Sequence, residues 1–216
     1  RTNRNHADMN APVMTDARTR PDPTLLMQVR QAALPSLSAA FAGALEAFDD
    51  SLFDRSDRAG SHAMPFLEAM RELRLRRPAM ESAYREHLEQ AWQGFAAGQP
   101  IAADQMRSSV RPSGGLSLVD DDELESRLAA RNLSSVLGRE CRSVLSRLES
   151  RLAWVINSRQ MDSEANPFGP DHLAAAIQSA FGVTDVDAQV QLVLFKLCER
   201  QLLPGIQSLY DQLDAM

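Results

Sequence analysis

Apolar residues along this chain recur at steps of three and four, the period that gathers them on one face of an α-helix. The first run follows Asp22 and Pro23, a cap residue and a favoured first-turn proline. It sets Leu26, Val29, Ala33, Leu37, Phe41, Leu45, Phe48 and Leu52 on one stripe, and Pro35 inside it predicts a kink or a break. A polar stretch over 54–61 is expected to close this segment as a turn. The second run starts at Met64 and Pro65 and aligns Phe66, Met70, Leu73, Arg77, Met80, Tyr84, Leu88, Ala91 and Phe95, with Pro78 as a second expected kink. Together the two runs predict an N-terminal helical hairpin over 23–97.

The period then lapses. Gly98, Pro100, Pro112, Gly114 and Gly115 mark 98–118 as a linker. Beyond it Asp120, Asp121, Asp122 and Glu123 open a long helix, where acids complement the positive end of the helix dipole and need no metal to explain them. Its stripe is Leu124, Leu128, Leu133, Leu137, Cys141, Val144, Leu148, Leu152 and Val155, spaced like a heptad seam that pairs within the chain or across a dimer. Asn166, Pro167, Phe168, Gly169 and Pro170 then form a rigid turn, because each proline fixes its own φ and pushes the preceding residue out of the α region. Phe168 is expected to be buried between the helices this turn joins, with Asn166 capping or bridging free backbone groups.

Pro170 starts a short helix holding Leu173, Ala176, Ile177, Ala180 and Phe181, which Gly182 ends. Thr184 and Asp187 read as a capping box for a final helix carrying Val186, Val190, Val193, Leu194, Leu197, Cys198, Ile206, Leu209, Tyr210 and Leu213, with Pro204 as a third kink. No segment alternates as a strand does. The fold class that follows is all-α: a kinked multi-helix bundle built from the hairpin and a C-terminal three-helix module over 119–216. Residues 1–22 lack an apolar period and read as a disordered tail.

Composition narrows the chemistry. The 216 residues carry a formal net charge of −6, which disfavours nucleic acid and anionic membranes as partners because both need a basic face. No apolar run is long enough to span a bilayer, and the first twenty or so residues lack the hydrophobic centre of a signal peptide. Cys141 and Cys198 both fall on helical stripes and read as small buried hydrophobes in a reducing cytosol. A cytoplasmic protein is expected.

Candidate chemistry is thin. Arg71, Arg74, Arg76 and Arg77 crowd one part of the second helix near Glu68, Glu72 and Glu81. Ion pairs on a solvated face explain them, and the alternative is a phosphate or cyclic-nucleotide site, since guanidinium forks suit phosphate. His6, His62, His87 and His172 are scattered and expected at the surface. There is no His-Glu-x-x-His or Cys-x-x-Cys pattern for zinc, and Gly114-Gly115 lacks the Gly-Lys-Ser/Thr ending of a phosphate loop. No cofactor, no metal and no catalytic residue is expected.

Three strings carry a family resemblance: Leu116-Ser117-Leu118-Val119-Asp120-Asp121-Asp122-Glu123-Leu124-Glu125, the block Asn166-Pro167-Phe168-Gly169-Pro170, and Phe195-Lys196-Leu197-Cys198-Glu199-Arg200 with Leu209-Tyr210. Over 64–216 the chain resembles an uncharacterised proteobacterial domain-of-unknown-function family whose members often bear the label thymidine phosphorylase. The resemblance implies the N-terminal part of a longer cytosolic protein and brings no catalytic residues with it. A phosphorylase needs a glycine-rich phosphate loop on a sheet, and these residues predict neither. The reading is a non-enzymatic scaffold or regulatory module that binds a protein partner or pairs as a homodimer through the helix at 121–159, the alternative being nucleotide sensing by the four arginines.

Overall fold

The computed structural model describes residues 23–109, 121–156 and 161–216. The helices are α1 (Pro23–Ala59), α2 (Met64–Ala96), α3 (Ala103–Ser109), α4 (Asp121–Glu140), α5 (Arg142–Val155), α6 (Pro170–Phe181) and α7 (Ala188–Asp214). Short 3₁₀ turns at Gly60–His62 and Ser163–Ala165 join some of them, and the described residues contain no strand. The fold is all-α.

Five of these helices form a closed circuit of neighbours. Helix α1 packs on α2 and α7, α2 on α6, α6 on α4, and α4 on α7. Their apolar stripes meet in one core cluster that draws on both the hairpin and the rear helices. Inside it Phe41 stacks on Tyr84 at 4.3 Å, and Phe181 meets Phe48 at 6.4 Å and Phe195 at 5.0 Å. Helix α6 is buried on most sides, which its Ala174, Ala175, Ala176 and Ala180 permit by letting neighbouring helices approach closely. The seam Leu133, Leu137, Cys141, Val144, Leu148, Leu152 and Val155 is buried within the chain, while Leu124 and Leu128 at its start stay exposed.

Several boundaries differ from the sequence reading. Helix α1 continues through the stretch expected to be a turn and ends at Ala59, where Gly60 takes a positive φ of 53°. Helices α1, α2 and α7 run unbroken past Pro35, Pro78 and Pro204, all of which lie on the solvent side. A carbonyl that loses its donor there is open to water, so the helix survives. The expected linker contains α3, anchored by buried Ala103 and Met106, with 110–120 outside the described residues. The long helix divides at Cys141, whose ψ of 8° ends α4 and starts α5. The cap of α7 is Asp187 alone, its carboxylate accepting from the N–H groups of Gln189 and Val190. Thr184 instead donates its hydroxyl to the carbonyl of Phe181 at the end of α6. The proposed tail at 1–22 lies outside the described residues.

Candidate functional site

The four arginines fall within two turns of α2, and two of them, Arg74 and Arg77, reach carboxylates of α1. Arg74 bonds Asp49 at 2.9 Å, Arg76 bonds Glu72 at 3.2 Å, and Arg77 bridges Glu81 at 2.9 Å and Glu46 at 3.0 Å. Arg71 is exposed beside them. Three of the four guanidiniums thus already face carboxylates, and hydrogen bonding to Glu81 and Glu46 raises the Arg77 pKa above its ordinary value. A phosphate would have to displace Asp49, Glu46 and Glu81 to use these groups.

The turn Asn166 to Pro170 is wholly buried. Asn166 Oδ1 accepts from the N–H of Phe168 at 3.1 Å, and its carbonyl accepts from the N–H of Gly169 at 2.8 Å. Position 169 tolerates only glycine without movement, because a Cβ there would approach Asn166 Cβ to 2.9 Å. Phe168 has no exposed surface and stacks on Trp92 of α2, ring centroids 5.2 Å apart and 17° from parallel. The hydroxyl of Tyr210 donates to the Phe168 carbonyl at 2.6 Å, so α2, α6 and α7 all hold this turn. Burial raises the pKa of nearby Glu149, a rise that the Asn166 side chain only partly offsets, and Asn166 Nδ2 finds no acceptor in hydrogen-bond geometry. That buried amide is poorly satisfied.

Two histidines expected at the surface are buried and paired. His87 of α2 and His172 of α6 approach through Nε2 and Nδ1 at 3.2 Å, and His172 Nε2 lies 2.9 Å from the carbonyl of Ile101. A carbonyl only accepts, so His172 carries a proton on Nε2, and in the neutral ring its Nδ1 then accepts from His87 Nε2–H. The pair therefore fastens the segment before α3 to the bundle. His62 is exposed as expected, and His6 lies outside the described residues. Burial pushes the thiols of Cys141 and Cys198 up, which keeps them protonated and unsuited to nucleophilic attack. The described residues hold no group of three or more His, Cys, Asp or Glu placed to bind a metal.

Among the described residues the surface also carries a largely apolar groove. Where the start of α1 meets the ends of α5 and α7, a groove of about 370 Å³ is walled by Leu25, Val29, Leu148, Leu213 and Met216, and Trp154 stands at its edge with 75% of its surface exposed. Trp154 occupies the last turn of α5, one residue outside the buried stripe of Leu152, Ala153 and Val155. An indole so exposed adds little to the burial that holds the bundle together. The periodicity that locates buried stripes gives no weight to a residue off the stripe, so sequence reasoning passed over Trp154.

A family model described as the N-terminal domain of a protein of unknown function (DUF1631) matches residues 21–216. Nothing among curated proteins or solved structures matches the chain. The chain belongs to the DUF1631 family, whose model covers the whole described bundle.

Proposed function

We propose that this DUF1631 N-terminal domain is a non-enzymatic protein-binding module, a scaffold or regulatory unit of a longer cytosolic bacterial protein. The observation that carries the reading is the apolar groove with Trp154 exposed at its edge. Tryptophan beside a preformed concavity is the residue type that dominates binding energy at protein interfaces. The rest of the molecule supports a rigid platform: its aromatic side chains are interlocked, its thiols are protonated, and most of the clustered arginines are taken up by internal ion pairs. The heptad-like stripe is spent inside the chain, so partner binding falls to the groove.

The test uses the full-length protein purified from its host under native conditions. A partner that co-elutes with the wild type should be lost from Trp154→Ala and from Leu25→Asp, with helical content and melting temperature unchanged for Trp154→Ala. A partner set indifferent to both substitutions would remove the groove from the account.

A further inference from the structure

The segment 99–106 touches both α2 and α6. Gly94 lets it lie close on α2, since a Cβ there would stand 3.0 Å from the Gln99 carbonyl oxygen and 3.3 Å from Ile101 Cδ1. The Gln99 N–H donates to the Gly94 carbonyl at 2.9 Å, and Ala103 and Met106 are buried. Through the ring-to-ring bond of His87 and His172, and the bond from His172 Nε2–H to the Ile101 carbonyl, α2, α6 and this segment are joined in series. The two histidines are 8% and 0% exposed, so a charge placed on them is cut off from water. Asp171 beside His172, Asp104 of α3, Glu164 of the 3₁₀ turn and Arg131 of α4 line one polar hollow, where Asp171 accepts from the Ser134 hydroxyl at 2.6 Å. On the α1 side of α2, Glu89 pairs with Arg30. Burial pushes up Tyr84, one turn before His87, and Cys198 of α7, so both stay neutral.

We propose that the His87–His172 pair is an acid-sensitive latch, which holds 99–106 on the bundle at neutral pH and releases it as the pH falls. An N–H···N bond has room for one hydrogen between its two nitrogens. The closed pair can therefore take one added proton, on His87 Nδ1, and keep both of its bonds. A second must go onto His172 Nδ1, which breaks the ring-to-ring bond and leaves two imidazolium rings facing each other out of water. Asp104, Glu164 and Asp171 favour the first proton and Arg131 opposes it, but no neighbouring charge alters the limit set by the shared hydrogen. Once the segment lifts, water reaches both rings, and a solvated imidazole titrates at about pH 6.5. The open form thus binds two added protons and the closed form one at most, so opening takes up protons and is favoured by acid. The gain is about tenfold or more per pH unit once well below that value. The segment yields before the helices do, because α3 meets α6 far less extensively than α2 does.

Amide hydrogen exchange of the whole chain tests the latch, read at Gln99, Gln105 and Met106, whose N–H groups bond the carbonyls of Gly94 and Ala102. After correction for the intrinsic rate, their protection should fall about tenfold between about pH 6 and about pH 5, while that of amides within α7 falls far less. His87→Gln with His172→Gln removes both titrating rings but keeps amides able to bond each other and the Ile101 carbonyl, and should erase this pH dependence. Nitrogen NMR of the imidazole rings in the parent chain decides independently, even where the double variant fails to fold. His87 and His172 should share no more than one added proton for as long as Gln105 and Met106 stay protected. Protection that is unchanged across this range, a pH dependence that survives in the folded double variant, or two protons on the pair with the segment still protected each overturns the latch.

Discussion

Phe168 shows how one residue can tie a turn to two helices. It has no exposed surface, stacks on Trp92, and lends its carbonyl to Tyr210. Phe168→Ala should therefore lower stability by about 3–4 kcal/mol, the cost of an aromatic-sized void in a core that relaxes only in part. Urea unfolding at fixed pH measures this, and a loss below about 1 kcal/mol would mean that the turn collapses freely. The role was legible because it is local: two prolines, an asparagine and a glycine within five positions dictate the turn, and an aromatic in such a turn needs burial. The His87–His172 pair was not legible, because its members stand 85 positions apart and only the packing of α2 on α6 brings them together. Glu149 makes a second prediction at this scale. Burial chiefly, then the nearby carboxylates of Asp162 and Asp171, raises its folded pKa. A carboxyl with a raised folded pKa binds more protons folded than unfolded between the two values, so its contribution to stability falls as pH rises through that window. Glu149→Gln should thus stabilise the protein at neutral pH and flatten its stability between the carboxylate range and neutrality. A variant less stable than the parent at neutral pH would show that the ionised group is a net asset.

Helices were legible as far as their stripes reach. The positions of α1 from Val29 to Leu52 and those of α2 from Met70 to Phe95 that share one face are buried as their spacing requires, apart from half-buried Arg77. Breaks were less legible, for two physical reasons. A proline ring on the solvent face leaves its unpaired carbonyl to water, so Pro35, Pro78 and Pro204 do not interrupt the apolar face behind them. Conversely, α4 gives way to α5 at Cys141 with neither proline nor glycine at that position. Helix α3 escaped notice because seven residues are too few for a period to declare itself. If the three prolines are merely tolerated, replacing one with the best helix former should help. Pro78→Ala in the exposed middle of α2 should raise stability, by up to about 3 kcal/mol before the greater freedom of the unfolded chain is subtracted. A drop in the melting temperature would show instead that Pro78 helps α2 to reach both α1 and α6.

At the scale of the whole molecule the sequence suggested two units joined by a linker, and the helices pack more evenly than that division implies. Helix α1 lies against α7 about as extensively as against α2, and α2 lies against α6 in the same way. The hairpin thus has two apolar faces to cover, one internal and one shared with the rear helices. Composition shifts locate linkers but say nothing of which stripes meet across them, and a helix that contacts two neighbours reads the same as one that contacts a single broad surface. The groove has the same origin: Leu25 and Val29 come from the first turns of the hairpin, Leu148 and Trp154 from α5, and Leu213 from the last turn of α7. It exists only when the front and the rear are assembled. A fragment spanning 23–97 should accordingly fail to fold alone, because Phe48 and Trp92 would lose Phe181 and Phe168, against which they pack. Over 21–216, by contrast, unfolding should be a single cooperative event in which far-ultraviolet dichroism and Trp92 fluorescence coincide, since Trp92 on α2 stacks on Phe168 of the rear half. Two separate transitions, with helical signal persisting in the 23–97 fragment and a sharp melt of its own, would restore the two-unit view. The Trp154 groove would then be a seam between units that could open.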